Sequence, residues 1–333
     1  MLLITGATGH LGNVLVKKFI GKGEKVRILV HPSDSLLPLQ LVPVEVFYSD
    51  VRADFSSALN GIEAIFHLAS VISITPSRKK IVYSVNVEGT RNVITLAKKK
   101  KVPLIYISSV HAFAEVEKGS MITEETPVDE NLVVGDYAKS KAIATKEVEK
   151  AFSEGLDGFI VFPTGIFGPY DYKFSHFSRV LIKYKTGKLR YTINGKFDFV
   201  DVRDLAEAIV KLYELLKSYS NCKVSKQRFI VSGNDIDFAQ LPKLCGLETF
   251  KVLDDTSGDI LSTLSLIANV LFSIPTEFVP YALHTLRLNY AFSKAKLSST
   301  IPYRLRKVED SIHDFFNWLN ELNNPKNMCY NIV

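Results

Sequence analysis

A tyrosine and a lysine four residues apart form the pair in this sequence that is best suited to acid–base chemistry. Tyr137 and Lys141 belong to the run Tyr-Ala-Lys-Ser-Lys, and positions i and i+4 lie on one face of a helix. A free tyrosine has a pKa of about 10, and a nearby lysine cation favours the phenolate and lowers that pKa. The spacing therefore predicts that Tyr137 exchanges a proton with a substrate while Lys141 tunes its pKa.

Two serines, Ser108 and Ser109, end an apolar run that begins at residue 104. A hydroxyl group at the carboxyl end of a buried strand can donate a hydrogen bond to a carbonyl oxygen as negative charge develops on it. The same hydroxyl groups can instead satisfy loose backbone groups at the strand end. The residues alone leave both interpretations open.

Three glycines have the spacing of a phosphate-binding loop. Gly6, Gly9 and Gly12 stand in Thr-Gly-Ala-Thr-Gly-His-Leu-Gly, between a short apolar run and an amphipathic segment. At such a junction the first glycine permits a tight turn, the second lets the backbone approach a pyrophosphate, and the third lets the helix pack near the strand. The helix N-terminus adds free N–H groups and a positive dipole end. This loop predicts a dinucleotide cofactor.

Short apolar runs alternate with amphipathic segments through the first half of the chain. The runs predicted to be buried strands are residues 2–5, 26–30, 44–48, 64–68, 104–108 and 159–162. The segments predicted to be helices between several of them are residues 11–20, 76–101 and 136–153. Buried strands separated by helices indicate βαβ units. With right-handed crossovers they give an α/β fold with a doubly wound parallel Rossmann sheet.

The regular alternation of apolar runs and amphipathic segments ends after residue 169, which predicts a second structural unit. We expect a Rossmann domain over residues 1–169, to which residues 198–232 return. A smaller, discontinuous, mostly helical substrate-binding cap is expected over residues 170–197 and 233–323, with a final helix at 308–322 and a tail at 324–333. Because ligands bind at the carboxyl edge of open α/β sheets, the cap is expected to lie over that edge.

The composition is that of a globular protein. The 333 residues are 47% hydrophobic and 23% charged, with a net charge of +6, which excludes disordered, collagenous and coiled-coil chains. Three scattered cysteines argue against a disulfide framework or a metal site and indicate a reducing, cytoplasmic compartment. The basic run Lys98 to Lys101 is expected to complement a helix C-terminus rather than to bind nucleic acid.

One apolar segment raises the question of a membrane. Residues 261–274 are apolar but are interrupted by polar residues and stop at Pro275. A bilayer core of about 30 Å needs a longer span, so no transmembrane segment is expected. A helix packed on the core is favoured, with an amphipathic helix resting on a membrane as the alternative.

The order of these motifs resembles that of the extended short-chain dehydrogenase/reductase superfamily, which includes the NAD-dependent epimerases and dehydratases. Its glycine loop typically has the form TGATGHLG, as here. Four further segments resemble the superfamily's: residues 67–70 (HLAS), 85–90 (NVEGT), 162–169 (FPTGIFGP) and 199–206 (FVDVRDLA). The likeness covers nearly the whole chain and is weakest over residues 233–290. It is nearest to the branch of dihydroflavonol 4-reductase and the 3β-hydroxysteroid dehydrogenases.

The resemblance implies a catalytic set. It assigns the roles of hydride-transfer chemistry to Ser109, Tyr137, Lys141 and Asn86, with Ser108 as the alternative serine. Ser109 and Tyr137 would polarise a carbonyl group, and Tyr137 would protonate the oxygen as the nicotinamide delivers a hydride. Lys141 would hold the ribose, and Asn86 would support a proton relay to it. A buried mid-helix asparagine also needs a hydrogen-bond partner, which agrees with that role.

The resemblance also implies binding residues along the carboxyl edge. The expected cofactor contacts are Gly6, Thr8, Gly9, His10, Leu11, Gly12, His31, Asp50, Val51, Leu68, Ala69, Ser70, Tyr137, Lys141, Pro163, Gly165 and Ile166. The expected substrate contacts are Ser109, Val110, Thr164, Phe174 and Phe197.

The identity of the cofactor depends on the end of the second strand. An acid there would hold a ribose 2′-hydroxyl group, whereas a basic residue would accommodate a 2′-phosphate. His31 takes that place, which favours NADP, while Asp34 keeps NAD open. Asp50 has a second interpretation as a cap of the segment that follows it. Asp201 and Asp204 suit a helix start electrostatically, so a structural role is expected for them.

Two departures from the nucleotide-sugar enzymes bear on the substrate. Those enzymes usually have an arginine that grips the diphosphate near the position of Phe197, and an asparagine where Thr164-Gly165 stands. We therefore expect a dihydroflavonol-reductase-like enzyme that interconverts a ketone and a secondary alcohol. A nucleoside-diphosphate-sugar epimerase or dehydratase with tightly bound NAD is the alternative, and a non-catalytic dinucleotide sensor is the second one. The resemblance further implies a homodimer formed through the helices at 76–101 and 136–153.

Overall fold

The computed structural model describes residues 1–73, 78–218, 223–272 and 279–323. The strands are β1 (Leu2–Thr5), β2 (Val26–Val30), β3 (Glu45–Tyr48), β4 (Ala64–His67), β5 (Leu104–Ile107), β6 (Met121–Ile122), β7 (Gly158–Pro163), β8 (Gly165–Phe167), β9 (Tyr191–Ile193), β10 (Lys196–Asp201), β11 (Arg228–Val231), β12 (Asn234–Asp237), β13 (Lys251–Leu253) and β14 (Ala291–Phe292). The helices are α1 (His10–Gly21), α2 (Lys79–Tyr83), α3 (Thr90–Lys100), α4 (Asp136–Ser153), α5 (His176–Lys185), α6 (Val202–Lys217), α7 (Leu241–Leu244), α8 (Asp255–Phe272), α9 (Pro280–Leu288), α10 (Ala295–Thr300) and α11 (Val308–Leu322). The expected tail at 324–333 lies outside the described residues.

Seven parallel strands form the central sheet, in the order β3-β2-β1-β4-β5-β7-β11. Helices pack on both faces, so the predicted doubly wound Rossmann sheet is confirmed. The strand order reverses between β1 and β4. In such sheets a ligand crevice opens at that reversal, outside the carboxyl ends of the strands.

The alternation of side chains along each strand divides the core between the two faces. Leu2 and Ile4 of β1 pack on one face with α1 and α6, while Leu3 packs on the other with α3 and α4. Successive side chains of a strand point to opposite faces, so a strand covered on both sides must be apolar throughout. Each fully buried leucine or isoleucine contributes about 1.5–3 kcal/mol. This two-sided burial holds the carboxyl edge of the sheet in place.

The first strand of the 198–232 stretch differs from the prediction. β10 pairs with β8 in parallel and with β12 in antiparallel fashion, in a separate three-stranded sheet. Only β11 of that stretch joins the central sheet. After β11 the chain turns back at Gly233, where a side chain would collide with the backbone of Phe199, and β12 then runs along β10. The division into a Rossmann domain and a cap stays a prediction.

The start of α6 depends on two buried aspartates. Asp201 caps the helix, because its carboxylate accepts the backbone N–H of Arg203 at 2.7 Å. Asp204 accepts the backbone N–H of Arg306 at 2.7 Å and so ties the helix to a distant segment. Burial raises the pKa of Asp204. The structural role expected for the two aspartates is confirmed.

The segment between β4 and β5 is an α-helix interrupted by one π-helical turn. α2 runs into a π-helix at Ser84–Gly89, which continues as α3; residues 74–77 lie outside the described part. Single π-turns inside α-helices are frequent at functional sites, and this one carries Asn86. Lys98 lies in the last turn of α3, as the basic run predicts, and pairs with Glu154 at 2.5 Å.

The described helices include none that is long and apolar enough to cross a membrane. The apolar segment at 261–274 falls largely within α8, which packs against α9. Across the same described ranges, no three His, Cys, Asp or Glu side chains are grouped so as to hold a metal ion.

Candidate active site

At two glycines, the loop after β1 packs so closely against neighbouring backbone that it can form a cradle for a phosphate. Gly6 has φ +69°, and a Cβ there would lie 2.7 Å from the amide nitrogen of Ala69. A Cβ on Gly12 would lie 2.2 Å from the carbonyl oxygen of Gly6. Neither position therefore accepts a side chain. The loop ends at the N-terminus of α1, whose first turn offers free N–H groups to an anion.

An acid lies directly on this loop. Asp34 accepts a hydrogen bond from the Thr8 hydroxyl group at 2.7 Å and pairs with Lys173 at 3.0 Å. These two hydrogen bonds lower the pKa of Asp34 despite its partial burial. The loop therefore presents one negative charge beside one positive charge at the place where a ribose would lie.

Two of the predicted cofactor contacts, His31 and Asp50, lie next to each other. The Nε2 atom of His31 is 3.4 Å from the carboxylate of Asp50. Arg52 holds that carboxylate and lowers the pKa of Asp50 to about 2. The carboxylate also accepts the backbone N–H of Arg52 at 2.8 Å, but Asp50 does not cap a helix, because the helical turn that follows begins only at Ser56. Val51 is buried, and its carbonyl oxygen accepts the side-chain amide of Asn92 at 2.8 Å.

A buried histidine fixes the segment that passes over Gly6. His67 bonds Thr5 through Nδ1 at 2.7 Å and Thr90 through Nε2 at 3.0 Å. Burial lowers the pKa of His67 to about 3, so the ring is neutral. The Thr5 hydroxyl oxygen also accepts the backbone N–H of Ala69 at 3.2 Å. This network places the predicted contacts Leu68, Ala69 and Ser70 beside the glycine loop.

Asn86 connects that segment to the helix of the tyrosine and lysine. Its Oδ1 atom accepts the backbone N–H of Val71 at 2.8 Å and the Ser70 hydroxyl group at 3.1 Å. Its Nδ2 atom donates to the Val71 carbonyl oxygen and to the Ser140 hydroxyl group, each at 3.0 Å. Every polar atom of this buried amide is thus engaged. Ser140 in turn donates to the carbonyl oxygen of Tyr137 at 2.7 Å.

Tyr137 and Lys141 are both buried on α4, one turn apart. The Nζ atom of Lys141 donates to the carbonyl oxygen of Ile107 at 2.8 Å, and burial lowers its pKa to about 7. Burial raises the pKa of Tyr137 to about 12, and a hydrogen bond with Ser109 opposes that change. The predicted lowering of the tyrosine pKa is therefore wrong for this geometry, because loss of solvation outweighs every favourable contact to the phenolate.

The structure separates the two candidate serines. The Ser108 hydroxyl group bonds that of Thr145 at 2.7 Å, inside the packing between β5 and α4. The Ser109 hydroxyl oxygen accepts the backbone N–H of His111 at 3.3 Å, and the Ser109 side chain lies close enough to Tyr137 to oppose the rise of its pKa. Ser109 is thus the serine that meets the tyrosine, with Val110 buried directly after it.

Beyond these hydroxyl groups lies a wall of aromatic rings. His111 stacks on Phe197 with ring centres 5.6 Å apart and planes 5° apart. The ring of Tyr137 meets His111 edge-on at 6.3 Å, and Tyr281 of α9 lies 6.0 Å away. Sequence reasoning missed His111 and Tyr281. The position of His111 two residues after Ser109 was a usable signal, whereas nothing local marks Tyr281.

The remaining predicted contacts are distributed along the same edge. Pro163 ends β7, and Gly165 and Ile166 belong to β8, where a Cβ on Gly165 would lie 2.4 Å from the ring of Phe199. The hydroxyl group of Thr164 is buried and has no hydrogen-bond partner among the described residues. The ring of Phe174 packs against Trp318 instead of joining the wall around Tyr137, and the two ring centres are 6.3 Å apart. The predicted substrate contacts are therefore only partly brought together.

The fold and this arrangement are those of the extended short-chain dehydrogenase/reductase superfamily. The profile of the 3-beta hydroxysteroid dehydrogenase/isomerase family matches residues 3–237 of the chain. The chain belongs to that family and is an enzyme.

Two curated relatives illustrate the range of similar sequences. Sterol demethylase protein B of Methylococcus capsulatus is 31% identical over 241 residues, which are 72% of this chain and 71% of the relative. A Synechocystis protein provisionally named dihydroflavonol 4-reductase is 30% identical over 207 residues, which are 61% of this chain and 60% of the relative. The expected likeness to dihydroflavonol-reductase-like and sterol-dehydrogenase-like enzymes is confirmed.

Solved structures agree over nearly the whole chain. The crystal structure of gox2253 aligns with a TM-score of 0.81 at 25% identity and covers 97% of this chain and 98% of that one. MoeE5 in complex with UDP-glucose and NAD aligns with a TM-score of 0.72 at 15% identity, over 97% and 99% of the two chains. At that identity the second likeness shows the fold alone.

Proposed function

We propose that this enzyme interconverts a ketone and a secondary alcohol on an apolar small molecule. Ser109 and Tyr137 would bind the reacting oxygen, and a bound NAD or NADP would supply or accept the hydride. The observation that carries this proposal is that Ser109 lies beside Tyr137 after the carboxyl end of β5, with the ring of Tyr137 against His111 of the aromatic wall. One side of the pair suits a dinucleotide and the other suits an apolar ring.

The protonation state of Tyr137 suits the role of a proton donor. Burial raises its pKa to about 12, so the phenol keeps its proton at neutral pH. When a hydride reaches the carbonyl carbon, negative charge develops on the oxygen, and the phenol donates its proton to it. Ser109 donates a hydrogen bond to the same oxygen, which stabilises that charge in a site with little water.

Lys141 and Asn86 would assist Ser109 and Tyr137 without contacting the reacting oxygen. The side chain of Lys141 lies against the end of β5, where it would bind the ribose hydroxyl groups of the cofactor. Asn86 fixes the segment at Ser70 and Val71 and the helix position at Ser140 with the same amide group. We therefore assign Lys141 to cofactor binding and Asn86 to positioning and proton relay.

The two cofactors make opposite demands on the loop at Thr8. Lys173 supplies a positive charge, and His31 a ring nitrogen, near the place where a 2′-phosphate would bind, which supports NADP. Asp34, bonded to Thr8, could accept a ribose 2′-hydroxyl group and would repel a phosphate, which supports NAD. We propose that the enzyme uses NADP or NAD, and that Asp34 sets the ratio of the two affinities.

Three cations that could bind a diphosphate as point charges have other partners. Lys196 pairs with Asp235 at 2.9 Å. Arg190 donates to the carbonyl oxygen of Gly187, and Arg179 to that of Phe174. Phe197, near the place of the usual arginine, packs into the aromatic wall instead. This arrangement favours an apolar carbonyl or alcohol of the sterol or dihydroflavonol kind over a nucleotide sugar.

The proposal extends to assembly and compartment. We propose a homodimer formed through α2, α3 and α4, which lie together on one side of the sheet. A monomer by light scattering would refute it. Cys245, the free cysteine of the described residues, is buried, which supports a reducing compartment such as the cytoplasm.

A label-transfer experiment tests the reaction. The purified enzyme is incubated with reduced NAD or NADP that bears deuterium at C4, together with steroid and flavonoid ketones, and the products are analysed by mass spectrometry. We expect one deuterium in a released secondary alcohol. Parallel incubations with UDP-, dTDP- and GDP-sugars report the alternative, in which the hydride returns to the same sugar. Conversion of a nucleotide sugar without release of a reduced ketone would refute the proposed function.

A further inference from the structure

We propose that His111 is a substrate-binding residue that donates a hydrogen bond from Nε2 to a second oxygen of the substrate, and that Tyr281 is the positioning residue that holds it in this state. The inference rests on the proposed function, because it concerns the same pocket. It adds a recognition element for a substrate with an oxygen beside the reacting carbonyl group.

The position of His111 is fixed by rings on three sides. Phe197 stacks on it in parallel, Tyr137 meets it edge-on, and Tyr281 is tilted against it. The imidazole thus lies next to the proposed proton donor and also forms part of the apolar wall. A group bound by its ring nitrogen would lie near the carbonyl group that Tyr137 protonates.

The hydrogen bond to Tyr281 selects the tautomer of the ring. The Tyr281 hydroxyl oxygen lies 3.3 Å from Nδ1 of His111. Burial raises the pKa of Tyr281, so its phenol keeps its proton. In the arrangement that we propose, this hydroxyl group donates a hydrogen bond to Nδ1. A neutral imidazole that accepts at Nδ1 carries its own proton on Nε2. Burial also lowers the pKa of His111 to about 4, so the ring is neutral at working pH.

The second ring nitrogen is the atom left for a ligand. Nε2 of His111 forms no hydrogen bond with any of the described residues. Nε2 is also not one of the fully buried polar side-chain atoms that lack a hydrogen-bond partner, so it is not enclosed in the core. A donor held in this way rejects an analogue that lacks the matching acceptor, because the donor is then left unpaired.

A pair of contacts holds α9 over this site. Tyr281 bonds His111 at the inner end, and His284, one turn later, lies 3.0 Å from the carboxylate of Glu115. His111 and Glu115 belong to the same segment after β5. Close packing of Tyr281 on Gly135, where a Cβ would meet its ring at 2.8 Å, further fixes the tyrosine.

The kinetic test uses ketone pairs that differ only in a hydroxyl or carbonyl oxygen on the carbon beside the reacting carbonyl group. We expect the wild-type enzyme to prefer the oxygen-bearing member about tenfold in kcat/KM, which corresponds to about 1.4 kcal/mol. His111→Phe should lower kcat/KM through KM about tenfold more for the oxygen-bearing ketone than for the plain ketone, because the ring stack is kept and only the donor is lost. His111→Gln should restore part of the preference. Equal losses on both ketones would overturn the proposal.

A spectroscopic arm does not depend on turnover. Long-range proton–nitrogen correlation spectra of the ¹⁵N-histidine-labelled protein report which nitrogen of His111 carries the proton. We expect the Nε2–H tautomer in the wild type from pH 6 to 8, as a neutral ring, and a shift toward Nδ1–H in Tyr281→Phe. A wild-type ring protonated on Nδ1 refutes the donor role alone. Failure of every ketone to accept a hydride refutes the proposed function and the substrate contact together.

Discussion

The two sides of the active site are built in different ways. On the cofactor side, the glycine loop, Ala69 and α1 meet through the backbone, at distances that exclude a side chain. On the substrate side, His111, Phe197 and Tyr281 meet through side chains from three distant segments. A ligand shared by many enzymes can be bound by backbone geometry, whereas a particular substrate is selected by side chains. We therefore expect substitutions on the first side to abolish binding and those on the second to change selectivity.

The largest effect on dinucleotide binding is expected at Gly12. A Cβ there would lie 2.2 Å from a backbone oxygen that cannot move away without opening the loop. Gly12→Ala should lower dinucleotide affinity by at least a hundredfold and destabilise the fold by about 3 kcal/mol, the upper part of the overpacking range. Titration calorimetry and urea unfolding measure the two changes.

Gly21 in the same helix supplies the matched control. A Cβ there has nothing within 4 Å, so Gly21→Ala should leave affinity unchanged and stabilise the helix by up to about 1 kcal/mol. If the two variants bind the dinucleotide equally well, the backbone account of the cofactor side is wrong.

Replacement of Lys141 comes next in size. Lys141→Met should lower kcat/KM about a hundredfold, since the cation that binds the ribose is lost. Lys139→Met, on the same helix, should keep most of the activity. A loss of the same size in Lys139→Met would show that any change in α4 disables the site.

Lys141→Met should also change how the free energy of unfolding depends on pH. The pKa of Lys141 is lowered by burial to about 7, below its value of 10.5 in an unfolded chain. Between these values the unfolded state binds more protons than the folded state, so the wild type gains stability as pH rises. The free energy of unfolding of the wild type relative to Lys141→Met should rise from pH 7 to 9.5, by up to about 3 kcal/mol. A flat difference would contradict the buried environment.

A smaller effect is expected where the two sides are joined. Asn86→Ala removes four hydrogen bonds of a buried amide and should cost about 1–3 kcal/mol in stability. We expect kcat to fall about tenfold with little change in dinucleotide affinity, because the residue positions α4. Asn317→Ala, on the exposed side of α11, is the control. An unchanged kcat would remove Asn86 from the proposed relay.

The smallest effect concerns cofactor choice. Asp34→Asn removes one negative charge from the loop at Thr8, while the hydrogen bond to Thr8 can be kept. The ratio of NADP to NAD affinity should rise about fivefold, within the energy of a partly exposed charge pair. Asp54→Asn, a solvent-exposed turn residue, should leave the ratio alone. An unchanged ratio in Asp34→Asn would place the 2′ position elsewhere.

The same contrast explains how much could be predicted from the sequence. The glycine loop and the pair of Tyr137 and Lys141 depend on neighbours in sequence, so the strands and helices that bear them were predictable. The bounds of α4 and α11 match the prediction residue for residue. The doubly wound parallel sheet also agreed with the prediction, because buried apolar runs separated by helices allow few arrangements.

Features that depend on distant contacts were not predictable. The place of β10 depends on β12, which follows it by more than thirty residues. Tyr281 reaches His111 across 170 positions, and no local pattern connects them. The pKa of Tyr137 also had the wrong predicted direction, because spacing shows a lysine one turn away but does not show how deeply the phenol is buried.

The measurement that tests the central claim most directly is hydride transfer by wild type and Tyr137→Phe under identical conditions. Stopped-flow absorbance at saturating reduced dinucleotide, on a ketone identified by deuterium transfer, gives the rate of the chemical step. The account predicts that Tyr137→Phe binds the dinucleotide as tightly as the wild type and transfers hydride about a thousandfold more slowly, within the range for general acid catalysis. Equal rates for the two proteins would contradict it.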